Sequence, residues 1–248
     1  MGILQKIVAN TRASLVHKKV ELPLEKIQSS LENLKLPRGK FKDHISSKDE
    51  AIIAEIKKAS PSAGVIKEDF DPTKIAMEYE SFGASALSIL TEEDFFMGSV
   101  EYLKEVKKIT SLPILRKDFM IDEYQIYESK LIGADCILLI ASILTDQEIE
   151  DFISTAKKLE LDYLIEVHDE NELKRVEHFE DALIGVNNRN LETFEVDLNN
   201  SVRLRNTFKQ KNIFIAESGI KSREDMNYLK MNNIKVFLIG ESLMRGSF

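Results

Sequence analysis

Between Ala51 and Gly240 the chain alternates between short apolar runs and longer amphipathic stretches. The runs are AIIAEI, ALSIL, LPILRK, DCILLI, DYLIEV, ALIGV, NIFIAE and KVFLIG. A short run that is apolar at nearly every position reads as a strand covered on both faces. Between the runs lie helical patterns such as PTKIAMEYESFG and DQEIEDFISTAKKLE. Strands separated by helices build a parallel sheet. Eight such units in about 200 residues fit an α/β chain folded as a closed (β/α)8 TIM barrel. An open doubly wound sheet is the other arrangement, but no glycine-rich fingerprint follows the first run.

The segment before Ala51 has a different rhythm. Leu4, Ile7, Val8, Thr11 and Leu15 recur at helical spacing, and so do Leu24, Ile27, Leu31 and Leu34 after the break at ELP. Two amphipathic helices and a loop through LPRGK are expected, their stripes packed on the main domain. The reading divides the chain into a helical extension over 1–46, covering the barrel mouth, and a barrel over 47–248. At the other end, only ESLMRGSF follows the last strand. That is one or two helical turns, so the final barrel helix is expected to be missing or very short. Phe237 and Ile239, on the outer side of strand 8, are then expected to be exposed, at a cost in stability unless another chain covers them.

Composition narrows the function. Net charge is −8, with no block of basic residues, which argues against nucleic acid or an anionic membrane as partner. The longest apolar stretch, CILLIASIL, is too short to span a bilayer. MGILQK carries Lys6 where a myristoylation signal needs Ser or Thr. The single cysteine, Cys136, reads as a buried structural thiol, and the expected location is the cytoplasm.

In a barrel of this kind the active site forms at the C-terminal ends of the strands. Charged groups collect there: Glu55 and Lys57 on strand 1, Arg116, Lys117 and Asp118 on strand 3, and Glu166 on strand 5. Asn187 and Arg189 end strand 6, and Glu217, Ser218 and Gly219 end strand 7. Each alone reads as a solvated strand end or a turn former. Their recurrence on faces that are otherwise core points to one convergent mouth. Glycine turns after strands 7 and 8, in ESGI and IGES, make the usual phosphate cradle of this fold, with backbone N–H groups and a helix N-terminus as donors. Ser60 adds a hydroxyl. A phosphorylated small molecule and acid–base chemistry follow; no metal or other cofactor is implied. His168 reads as an isolated loop residue rather than a zinc ligand.

IAEIKKASPSAGVI, LTEEDFFMGS, LPILRKDFMIDEYQIYE, LIEVHDE, IGVNNRNLETFEVD, AESGI and IGESLMR resemble, in order, indole-3-glycerol phosphate synthases of tryptophan biosynthesis. The resemblance covers about Ser47 to Arg245, and the N-terminal helices resemble that family's extension. It implies a carbon–carbon lyase acting on 1-(2-carboxyphenylamino)-1-deoxyribulose 5-phosphate, with ring closure, decarboxylation and dehydration. By position in the motifs, Lys117 matches the general acid and Glu166 the general base. Lys57 matches the second lysine, which contacts the substrate carboxylate and is assigned acid work in the dehydration. Glu55 and Glu217 match carboxylates that orient the lysines. Asn187 and Arg189 match residues that hold the substrate, while Asn188 and Asn190 shape the turn. Phe96 and Phe119 match apolar residues around the anthranilate ring. The phosphate is expected against Ser60, Ser218, Gly219, Gly240 and Glu241, the last through its backbone N–H. Met97 stands where the family carries an amide.

Two other readings remain at this point. A non-catalytic phosphate-binding scaffold would not need Lys57, Lys117 or Glu166. A sugar-phosphate isomerase would not need a pocket for an aromatic carboxylate. The expected state is a monomer or weak homo-oligomer.

Overall fold

The computed structural model describes residues 2–34 and 38–248. Part of the loop expected through LPRGK, Leu36 and Pro37, lies outside the described residues. Eight strands form the barrel: β1 (Ala51–Ile56), β2 (Ala86–Leu90), β3 (Ile114–Lys117), β4 (Cys136–Ile140), β5 (Asp162–Val167), β6 (Leu183–Asn187), β7 (Phe214–Glu217) and β8 (Val236–Ile239). All neighbours pair in parallel, and the ring closes where β8 lies beside β1, with Ala54 opposite Ile239. The doubly wound alternative is therefore excluded. Among the described residues no helix is long and apolar enough to cross a membrane.

Strand side chains alternate between the two faces of the sheet. Ala51 and Ile53, Leu115, Cys136 and Leu138, Leu164, Leu183, Ile215, Val236 and Leu238 fill the interior. The intervening residues, such as Ile52, Ala54, Ile137, Ile165, Ile184 and Phe237, meet the surrounding helices. The helices have local reasons to start and stop. Pro72 opens the helix Pro72–Phe82 behind the Asp71 cap, and Gly83 ends it in the left-handed region, with φ of 95°. Thr145 with Glu148, and Ser222 with Asp225, form capping boxes.

The N-terminal segment forms three helices: α1 (Ile3–Glu21), α2 (Leu24–Asn33) and α3 (Phe41–Ser46). The sequence pattern led us to expect two, and they do not act as one cover. Ile3, Leu4 and Ile7 of α1 line the cavity at the mouth. Lys18 and Lys19 tie α1 to Glu93 at 3.3 Å and Asp122 at 2.6 Å. Ile27 of α2 is buried beside Tyr124 and Tyr127. The third helix, α3, packs at the opposite end, with Phe41 and Ile45 fully buried in the barrel interior. Six residues with two large apolar side chains carry too little periodicity to announce a helix.

The chain end differs from expectation. The last helix is a single turn, Glu241–Met244, yet Phe237 and Ile239 are 0 % and 1 % exposed. Met244 is buried in the same cluster, with Leu243 and Phe248 against it. Phe248 meets the Phe82 ring edge-on at 6.2 Å and lies under the Arg223 guanidinium. A four-residue strand offers an outer face only about 13 Å long. One helical turn, a terminal aromatic and the flanking helices close that gap within one chain.

Candidate active site

The inward alternation that builds the interior continues to the strand ends and changes character there. Above Ala51 and Ile53 come Glu55 and Lys57; above Leu115 comes Lys117; above Leu164, Glu166; above Ile215, Glu217. Asn187 and Gly240 take the same row on β6 and after β8. The mouth encloses about 740 Å³, a size suited to a small-molecule ligand. Its wall includes Glu55, Lys57, Ser60, Phe96, Lys117, Phe119, Glu166, Asn187, Arg189, Glu217, Ser218, Gly219, Gly240 and Glu241.

At its floor Lys117 donates to Glu217 and, at 3.1 Å, to Glu166. Lys57 donates to Glu55. Asn187 Nδ2 donates to the other oxygen of Glu166, Oε1, at 3.1 Å. Burial disfavours the Lys117 ammonium, but Glu217, Glu166 and Glu55 reverse that and raise it well above the ordinary lysine value. Burial also acts on the two carboxyls, with opposite outcomes. Glu166 ends below the usual carboxylate value because Lys117, His168 and Asn187 outweigh desolvation. Glu217 stays above it, because the Lys117 charge is opposed by Glu166 and Glu55. One ammonium thus faces an ionised carboxylate and one whose ionisation is strained, a separation typical of acid–base sites.

The polar side chains that follow β6 have partners within the structure. The Arg189 backbone N–H donates to Asn187 Oδ1 at 3.0 Å, and its guanidinium donates to the Phe194 carbonyl at 3.1 Å. The same guanidinium lies 3.8 Å from Glu241. Asn188 accepts from Ser201 Oγ at 2.7 Å, and Asn190 accepts from the N–H groups of Glu192 and Thr193. Those two asparagines shape the turn and do not line the cavity. Ser218 and Gly219 both have positive φ, 64° and 82°. A Cβ on Gly219 would also fall 2.1 Å from Val196 Cγ1, so this turn needs glycine for conformation and for space.

The Phe96 and Phe119 rings lie 5.9 Å apart, tilted by 38°, on the wall opposite the glycine turns. Glu92 holds the Phe96 loop by accepting from the N–H groups of Phe95 at 2.8 Å and Phe96 at 3.0 Å. Met97 is 41 % exposed and is not part of the cavity wall.

Several residues differ from the sequence reading. Arg116 does not face the mouth: it is fully buried on the outer side of β3, paired with Glu128 at 2.7 Å and Asp118 at 3.0 Å. Strand alternation requires this, since Lys117 faces inward. His168 is not isolated: its Nε2 lies 3.4 Å from Glu166 and its Nδ1 3.1 Å from Glu172. Leu191, Phe194 and Val196, together with Arg245 and Lys221, join the cavity wall without having been singled out. The first three lie in the stretch IGVNNRNLETFEVD, but nothing local says that the loop folds back over the mouth.

Residues 4–247 match the family described as indole-3-glycerol phosphate synthase. An indole-3-glycerol phosphate synthase from Clostridium acetobutylicum is 46 % identical, over 98 % of this chain and 92 % of its own length. One from Endomicrobium trichonymphae is also 46 % identical, over 98 % and 95 %. One from Acetivibrio thermocellus is 53 % identical over 79 % of this chain and 76 % of its own length. Among solved structures, an N-acetylmannosamine-6-phosphate 2-epimerase from Clostridium perfringens superposes with a TM-score of 0.60 at 15 % identity, covering 82 % of this chain and 92 % of its own. A phosphoribosylanthranilate isomerase from Thermotoga maritima reaches 0.56 at 8 %, covering 78 % and 88 %. These two share the barrel alone. The chain belongs to the indole-3-glycerol phosphate synthase family.

Proposed function

We propose that the chain converts 1-(2-carboxyphenylamino)-1-deoxyribulose 5-phosphate to indole-3-glycerol phosphate, with Lys117 as the acid of ring closure and Glu166 as the base. It is a carboxy-lyase of tryptophan biosynthesis, as its family is. The observation that carries the residue assignment is Lys117 held between Glu166 and Glu217 on the cavity floor. A barrel that only bound phosphate would not need that buried triad.

The ring carbon bearing the carboxylate attacks the sugar carbonyl while Lys117 protonates its oxygen. Carbon dioxide then leaves, and its bonding electrons restore the aromatic ring. Lys57 protonates the departing hydroxyl, and Glu166 takes the proton from the carbon beside nitrogen. Glu55 orients Lys57, and Glu217 orients Lys117. Asn187 holds Glu166, and Arg189 meets the substrate at the mouth. Phe96 and Phe119 flank the anthranilate ring. Ser60, Ser218, Gly219, Gly240 and the Glu241 backbone N–H bind the phosphate. We also read residues 1–46 as an extension that contributes α1 to the mouth, and the protein as cytoplasmic, a monomer or a weak homo-oligomer.

The test is turnover of the anilino-ribulose phosphate, followed by indole fluorescence. Lys117→Ala loses about 100-fold or more in kcat while inorganic phosphate binds as before. Near wild-type turnover by that variant, with chemistry rate-limiting, refutes the assignment.

A further inference from the structure

The two phenylalanines at the aromatic end of the cavity stand on a layer of buried polar groups that the chemistry proposed above does not use. Asp118, Glu92, Gln125, Arg116 and Thr91 are all buried. Arg116 and Asp118 flank Lys117 in the stretch RKDF. A buried charge cluster contributes little stability compared with apolar side chains of similar volume. What this one supplies is a set of fixed donors and acceptors behind the cavity wall.

Each phenylalanine is pinned on both sides of its α-carbon. The Phe119 N–H donates to Asp118 Oδ1 at 2.8 Å, and its carbonyl accepts from Gln125 Nε2 at 3.0 Å. The Phe96 N–H donates to Glu92 Oε2 at 3.0 Å, and its carbonyl accepts from the Ala59 N–H at 3.2 Å. Peptide groups are planar and stiff, so pinning both fixes the direction in which each ring leaves the backbone. The Asp118 acceptor is itself held. Arg116 Nη2 donates to its Oδ2 at 3.0 Å, and Thr91 Oγ1 donates to the same oxygen at 2.6 Å. Arg116 Nε donates to Thr91 Oγ1 at 3.0 Å, and Glu128 lies 2.7 Å from Nη2. The Thr91 N–H donates to the Lys117 carbonyl at 3.1 Å, so the layer joins the tops of β2 and β3.

We propose that Asp118 and Glu92 are positioning residues that aim the Phe119 and Phe96 rings, with Arg116 as the cation that holds Asp118, and so set how well the cavity takes a planar aromatic carboxylate. This rests on Phe96 and Phe119 lying against the aromatic end of the substrate. Each carboxylate serves one ring, from the end of its own strand: Glu92 after β2 and Asp118 after β3. The rings they aim meet at 5.9 Å. A radial gap of about 0.5–1 Å forfeits roughly a quarter to a half of a dispersion contact. A small change of aim therefore weakens the aromatic end, while the glycine turns across the cavity are untouched.

Calorimetric titration with anthranilate probes the aromatic end, and titration with inorganic phosphate probes the other. Asp118→Asn cannot serve both neighbours. Turning its oxygen to the Phe119 N–H puts its amide NH2 against Arg116 and Thr91, which are donors. It weakens anthranilate binding about tenfold and leaves phosphate binding unchanged. Added to Phe119→Ala it has little further effect, because the ring it aims is gone. Glu92→Ala makes the same test through Phe96, and decides it if Asp118→Asn does not fold. Glu92→Gln still offers an oxygen to the Phe95 and Phe96 N–H groups, so it binds anthranilate as wild type does. Equal losses at both ends, no loss at either, full additivity with Phe119→Ala, or Glu92→Gln as weak as Glu92→Ala overturns the inference. Phe119→Ala separates the two readings. If it weakens anthranilate binding while Asp118→Asn and Glu92→Ala do not, the positioning role alone fails. If Phe119→Ala binds anthranilate as tightly as wild type, the placing of the aromatic end fails, and the inference with it.

Discussion

Gly185 is a glycine because of a carboxylate on the neighbouring strand. A Cβ built there would lie 2.1 Å from Glu217 Oε1 and 2.7 Å from Leu164 Cδ2. Its backbone does not have a positive φ, so alanine is not strained by conformation, only by space. Ordinary contact begins near 3.4 Å, so the oxygen must retreat by about 1.3 Å. That oxygen belongs to the side chain that holds Lys117. A misplacement of about 1 Å at a reacting group costs on the order of 100-fold in rate, or about 2.7 kcal/mol of barrier. Gly185→Ala should therefore lower kcat by about that factor, with KM nearly unchanged because the phosphate turns are untouched. The decisive assay is a double-mutant cycle with Glu217→Ala. If the alanine acts by displacing Glu217, it has little further effect once that carboxylate is gone. Equal losses in both backgrounds, or a kcat within threefold of wild type for Gly185→Ala alone, refute the reasoning.

Inorganic phosphate and sulfate should compete with substrate, because backbone donors at Gly219 and Gly240 do not depend on the aromatic end; purely non-competitive inhibition counts against the cradle. Phe237→Ala should destabilise the fold by about 3–5 kcal/mol, read as a urea midpoint shift at constant slope, since its ring is fully buried. A loss under 1 kcal/mol would mean that the chain end does not cover strand 8. Glu166 should make stability depend on pH in one direction. Its folded pKa is depressed, so the ionised group stabilises the fold above the unfolded value of 4.5, and this is lost as pH falls through the lower folded value. Denaturant titrations of Glu166→Gln across that window should show a flatter profile than wild type; parallel profiles would contradict the assigned shift.

The barrel is legible in the sequence because it follows from local pattern. Eight apolar runs between helices leave few ways to cover both faces of every strand. The charged strand ends were legible for a related reason: Glu55, Lys57, Lys117, Glu166 and Glu217 continue the inward period-2 row. Their roles came from resemblance, not from pattern. Tertiary structure decided what depends on groups far apart in the chain. Period-2 geometry alone could have sent Arg116 outward, but its partners Thr91, Ser129 and Glu128 come from other elements. His168 looked solitary because Glu172, four residues on, reaches it only after a helix begins at Glu170. Counting residues after Gly240 predicted an exposed outer face. Counting cannot see that Phe248 meets Phe82 across the closing seam, where β8 joins β1. The sequence by itself determined which side chains face inward and which stretches form strands, because both obey a short repeat. Only the folded chain decided which carboxylate stays ionised and which helix end seals the barrel, because burial and charge act through space rather than along the chain.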